Sequence, residues 1–110
     1  MPGQKHNNKI QEIKEYFESK NFRCGENVNV VRNKKNLIDG GVGKIDICCE
    51  QDNSIFCAEI ESNAQKQALR NRRDLQEMER QARKRGIRFK GCQVGDDEPL
   101  SICFRKDSHG

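Results

Sequence analysis

Tryptophan is absent, tyrosine occurs once, and aromatics make up only 5 % of the 110 residues. A core built from this chain must be thin and mostly aliphatic. Proline occurs twice, which excludes a proline-rich linker. No apolar run approaches the roughly 20 residues that a membrane-spanning helix needs. Residues Met1 to Asn8 are polar and carry no signal-like apolar segment. The expectation is an intracellular protein, in cytoplasm or nucleoid, with no membrane partner. The cysteines Cys24, Cys48, Cys49, Cys57, Cys92 and Cys103 lack the C-x-x-C spacing of zinc sites. Most sit in apolar, strand-like runs, so they read as buried small hydrophobes in a reducing compartment.

Other chemistries are missing too. No serine or cysteine nucleophile has a visible His and Asp partner set. Gly40, Gly41 and Gly43 do not match a phosphate-loop pattern with its lysine and Ser/Thr. His6 and His109 fall in the expected tails and are poor general bases.

What is present is charge. Charged residues are 35 % of the chain and the net charge is +4, which permits an anionic partner without demanding one. The apolar residues are clustered and periodic, which favours one folded domain over 1–110, with flexible tails at 1–7 and 107–110.

Asn8 followed by Gln11 resembles a helix-capping pair. Ile10, Ile13 and Phe17 then mark an apolar helical stripe to about Lys20. Val28–Arg32 reads as a first strand and Asn33–Gly43 as a loop, with Leu37 and Ile38 tucked inward. Strands are expected at Lys44–Glu50 and Ile55–Glu61, joined by a polar turn. Asn63 to about Arg85 is a long helix with Gly86 as its stop. Ile87–Val94 is a fourth strand, Gly95–Pro99 an acidic turn, and Leu100–Arg105 a short fifth strand. The predicted fold class is α/β (α+β): a mixed central sheet flanked by helices, in the order α-β-β-β-α-β-β.

Three carboxylates stand out on the central pair of strands. Alternation puts Lys44, Asp46 and Cys48 on one face, and puts Glu59 and Glu61 together on the neighbouring strand. Facing acids repel unless protonated or bridged by a cation, and oxygen ligands suit Mg²⁺ or Mn²⁺. Asp46 and Glu59 are the expected direct ligands, with the backbone carbonyl of Ile60 as a third protein oxygen. Glu61 is placed to hold an attacking water or a second cation. The plain alternative is a solvated acidic strand face.

The stretch Gly43-Lys44-Ile45-Asp46, followed by Ala58-Glu59-Ile60-Glu61-Ser62, resembles the PD-(D/E)xK, or restriction-endonuclease-like, nuclease superfamily in an E-x-E form. The resemblance spans most of the chain on short motifs. It implies a restriction-endonuclease-like core, a Mg²⁺-dependent phosphodiesterase activity, Asp46 and Glu59 as metal ligands, and Glu61 in the place of the usual lysine. Ile45 stands where proline often precedes the Asp. By proximity, Lys44 or Lys66 is a displaced cation, and Glu12 or Glu15 an added acid. Gln65 and Gln67 are polar helix residues near the site.

The second helix is rich in arginine. Arg70, Arg72, Arg73, Arg80, Arg83 and Lys84 are the expected phosphate contacts, DNA being favoured over RNA. Intrahelical pairs such as Arg70 with Asp74 are the competing use of these charges. The reading that joins these features is an endonuclease of restriction, homing, resolvase or repair type, working as a homodimer where both strands are cut. The alternative is a catalytically inactive nucleic-acid-binding or assembly module on the same scaffold.

Overall fold

The computed structural model describes residues 4–28, 45–61 and 64–104, with the backbone alone over 64–72. The elements run α1 (Gln4–Glu18), β1 (Arg23–Val28), β2 (Ile45–Gln51), β3 (Ser54–Glu61), α2 (Ala64–Lys84), β4 (Arg88–Gly95) and a short 3-10 helix (Leu100–Phe104). The strands form one mixed sheet in the order β1-β2-β3-β4. The β1–β2 and β2–β3 pairs are antiparallel, and α2 carries the chain over to β4, which lies parallel to β3. The loop expected at Asn33–Gly43, with Leu37 and Ile38, lies outside the described residues.

Each face of the sheet has its own core. On one side α1 and the 3-10 helix bury Ile10, Ile13, Phe17, Leu100 and Cys103 against Ile47, Phe56, Ala58, Ile60 and Val94. On the other, Leu75, Met78 and Ala82 of α2 pack on Val28, Ile45, Cys48, Ile55 and Cys57. Strand β3 is buried on both faces from Ile55 to Glu61. A sequence run that is apolar without strict alternation has this origin.

Both helices end in the same way. After α2, Gly86 takes φ +69°; its N–H bonds Arg83 O, and Ile87 N–H bonds Ala82 O at 2.9 Å. After α1, Asn21 takes φ 69°, with Asn21 N–H on Glu18 O and Phe22 N–H on Phe17 O. These are paired Schellman bonds around a left-handed residue, one Gly and one Asn. The Phe22 ring then closes edge-on over Phe17, 5.0 Å between centroids.

Three expectations about the elements need correction. Helix α1 begins at Gln4, not after Asn8, so the supposed tail is partly helical. Strand β1 is Arg23–Val28, because Cys24 pairs opposite Cys49 and Arg23 opposite Glu50; of the expected strand Val28–Arg32, residues 29–32 lie outside the described set. The fifth strand is a 3-10 helix. Leu100 and Cys103, three residues apart, both turn inward, which helical spacing allows and strand alternation does not.

All the cysteines but Cys24, which is half-buried, are buried as expected, but none is a free thiol. Cys24–Cys49, Cys48–Cys57 and Cys92–Cys103 are disulfides. The adjacent pair Cys48-Cys49 points to opposite faces of β2. Each member bridges a residue directly opposite it, Cys57 on β3 and Cys24 on β1. One dipeptide therefore staples the central strand to both neighbours. Cys92–Cys103 fastens the 3-10 helix to β4.

Candidate metal and catalytic site

The sheet opens where the acids stand. The β2–β3 ladder runs from Gln51 opposite Ser54 to Ile47 opposite Ala58, so the next pair in register is Asp46 with Glu59. Here side chains replace backbone carbonyls as acceptors. Asp46 N–H donates to Glu59 Oε1 at 2.9 Å, and Ile60 N–H donates to Asp46 Oδ2 at 2.9 Å. Each carboxylate spends one oxygen on the other strand's backbone. The remaining Glu59 oxygen, Oε2, is buried with no hydrogen-bond partner.

That orphaned oxygen has an electrostatic consequence. Glu59 is 2 % exposed, and burial pushes its carboxyl up to about 8. The nearby Asp46 and Asp74 charges push the same way, against the opposing bond from the Asp46 amide. A buried acid with an unused oxygen beside a second acid is the donor set a hard cation would satisfy. Asp46, Glu59 and the Ile60 carbonyl are residues fitted to hold one. Among the described residues, no group of three or more His, Cys, Asp and Glu side chains is arranged to hold a metal ion. The backbone carbonyl is therefore needed to complete a protein ligand set.

A residue set aside in the sequence joins this pair. His6 Nε2 lies 3.1 Å from Asp46 Oδ2. His6 stands one turn before Ile10 on the stripe His6-Ile10-Ile13-Phe17, whose later members are buried. The signal was the 4-3-4 spacing, hidden by starting the helix too late. The start of α1 is held down by the acidic turn. Lys9, itself buried, donates to Glu98 O at 2.6 Å and to Glu12 Oε1 at 2.9 Å. Lys5 reaches Asp97 at 2.9 Å, and Glu98 Oε1 accepts the Gly95 N–H. The turn expected only to be acidic thus places His6 over the sheet's end.

The other expected residues divide. Glu61 is buried on β3, opposite Gly95 of β4. Glu12 is engaged by Lys9, and Glu15 accepts from Gln11, so neither acid is added to the Asp46–Glu59 pair. Lys44 and the side chains of Gln65, Lys66, Gln67, Arg70 and Arg72 lie outside the described residues, as does the expected Arg70–Asp74 pair. Arg73, Arg80 and Lys84 are exposed on the side of α2 opposite Leu75, Met78 and Ala82. Helical geometry turns that stripe away from the sheet. Arg80 pairs with Glu77, and Arg83 with Glu79 at 3.0 Å. The described part of the arginine helix therefore does not face the carboxylates. Ion pairs at such exposed positions contribute about 0–1 kcal/mol.

The fold is mixed α+β, with a four-stranded mixed sheet and two helices. No described helix is long and apolar enough to cross a membrane. Comparison with family models, with curated proteins and with solved structures finds no match to this chain.

Proposed function

We propose that the chain is a metal-dependent phosphodiesterase acting on nucleic acid, with Asp46 and Glu59 as its metal ligands. The observation that carries the reading is the unpartnered, buried Glu59 Oε2 beside Asp46, on strands parted by those two side chains. The motif resemblance supports it, and so does the element order, since a helix, a three-strand meander, a second helix and a parallel strand make up a restriction-endonuclease-like core. Mg²⁺ or Mn²⁺ bound there would supply charge for a phosphate oxygen and lower the pKa of a bound water. The chain's own residues prepare the site. Ile60 N–H fixes Asp46 by one oxygen, Asp46 N–H fixes Glu59 by one oxygen, and His6 orients Asp46 from α1. Glu61, in the lysine's place, is the residue on which catalysis turns.

A single site of this kind cuts one strand per encounter, so cutting both strands of DNA calls for a homodimer. The three disulfides favour maturation where such bonds persist, outside a reducing cytosol or in the disulfide-rich interior of a hyperthermophile.

The test is incubation with linear, single-stranded and branched DNA and with RNA, in Mg²⁺, Mn²⁺ or EDTA. Cleavage should need the cation, fall at least ~100-fold in Asp46→Asn and Glu59→Gln, and fall less in His6→Gln. Cleavage that persists undiminished in both acid variants would remove the site. Salt-dependent binding without cleavage would favour the inactive nucleic-acid-binding module instead.

A further inference from the structure

The chain is poor in aromatics, yet all five of its phenylalanines line one cavity of about 230 Å³. Phe17 and Phe22 come from α1 and its exit, Phe56 from β3, and Phe104 from the 3-10 helix. Phe17 and Phe56 stack at 4.6 Å, and Phe104 leans on both at 5.8 Å. Arg88 and Lys90 of β4 stand at the rim. The parallel register sets Ser54 beside Arg88 and Phe56 beside Lys90, so alternation puts all four on the α1 face. Ile55 and Phe89 belong to the opposite face and line the cavity from the backbone side.

Two features separate this cavity from an unfilled corner of the core. Its wall is aromatic where the rest of the core is aliphatic and cysteine. Its rim holds two exposed cations, and neither side chain has an ion-pair partner among the described residues. A cavity of about 150 Å³ accommodates benzene, so this one accepts a larger flat ring. A flat ring flanked by negative charge is an unpaired nucleobase between its phosphates. The ring would stack on phenylalanine, the phosphates would meet Arg88 and Lys90, and the Ser54 hydroxyl is available to a base edge.

We infer that this cavity receives an unpaired base of single-stranded nucleic acid. The inference rests on the nuclease reading for its purpose but not for its test. Phe56 and Glu59 are three residues apart on β3, about 10 Å along the strand, and alternation turns them to opposite faces of the sheet. A base seated here would select substrates with an unpaired segment, the strand passing round the end of the sheet to reach the carboxylates. It supplies the nucleic-acid contact that the described arginines of α2, turned from the sheet, do not.

The test uses the whole protein in EDTA, so that no cleavage intervenes. A single-stranded oligonucleotide carrying one 2-aminopurine is titrated, with an abasic oligonucleotide of equal length and a blunt duplex as controls. Binding should quench the 2-aminopurine, and the abasic strand should bind about tenfold more weakly, as loss of one stacked base implies. Arg88→Ala with Lys90→Ala should weaken single-strand binding and reduce the salt slope by about 1.4, the value for two phosphates. Phe104→Leu should abolish quenching while the melting temperature shows the protein folded. Equal affinity for the abasic strand without quenching, or tighter binding of the duplex, overturns the inference. Glu59→Gln separates the two readings: quenching that survives it supports the cavity even if the wild type never cleaves, and cation-dependent cleavage without quenching keeps the site and removes the cavity.

Discussion

Replacing Glu59 by glutamine should stabilise the metal-free protein at alkaline pH and leave it little changed in acid. The carboxyl titrates near 4.5 when free and is pushed up to about 8 in the fold. Between those values the folded chain binds a proton that the unfolded chain does not, so stability falls as pH rises. The full gap corresponds to about 5 kcal/mol. Asp46 is 22 % exposed, so solvent screens the pair and about 2–3 kcal/mol is a fairer expectation. For a domain of this size that is a shift in melting temperature of about 10 °C. Glutamine keeps an oxygen for the Asp46 N–H and carries no charge. Thermal unfolding followed by circular dichroism, in EDTA from pH 5 to pH 9, should show the wild type losing stability above pH 5 and Glu59→Gln losing much less. Millimolar Mg²⁺ or Mn²⁺ should restore the wild type at high pH and do little for the variant, because the cation and the proton compete for the same oxygens. Parallel pH profiles for the two proteins would refute the argument that Glu59 is a strained, uncompensated acid.

Two further outcomes test the fold on which this depends. A tryptic digest of unreduced protein should link residues 24–32 to residues 45–66, and should give residues 91–105 as one internally bridged peptide; replacing Cys48 and Cys57 together by alanine should cost about 2–3 kcal/mol in urea unfolding, as closure of so short a loop implies. Gly86→Ala should cost about 1–2 kcal/mol, since Gly86 sits at φ +69° with open space around it, whereas Asn21→Gly at the equivalent end of α1 should be neutral or slightly stabilising by the same measurement.

Periodicity alone located α2, β2, β3 and β4 to within a residue or two, because each has an apolar pattern that its own packing demands. Leu75, Met78 and Ala82 fall on one helical face and meet one face of the sheet. It failed where a covalent or long-range contact decided the outcome. Residues 23–27 carry no β-branched run to announce a strand, yet β1 is Arg23–Val28, held to β2 by Cys24–Cys49. The final apolar segment looked like a strand because five residues cannot separate a period of two from a period of three. Cys103 settles it by joining Cys92 and turning the segment beneath β4. Spacing rules cannot reveal cross-strand bridges, since partners chosen by register are not near in sequence.

The site divides along the same line. Asp46 and Glu59 were legible because each is an acid within an otherwise apolar strand, and alternation brings them to facing positions. What the strand pattern could not carry was the contribution from outside the hairpin. His6 reaches Asp46 only because α1 starts early and because Lys5 and Lys9 tie its first turns to Asp97 and to the Glu98 carbonyl. The Cys48–Cys57 bridge adds a second constraint, two residues along the strand from each acid. Beyond it the ladder continues to Gln51 and Ser54; before it the strands part at Asp46 and Glu59. The bridge thus lies between a closed hairpin and an open one. A covalent tie at that point lets two repelling acids face each other across the opening without the repulsion spreading down the sheet, so the energy stored at Glu59 stays available to a cation.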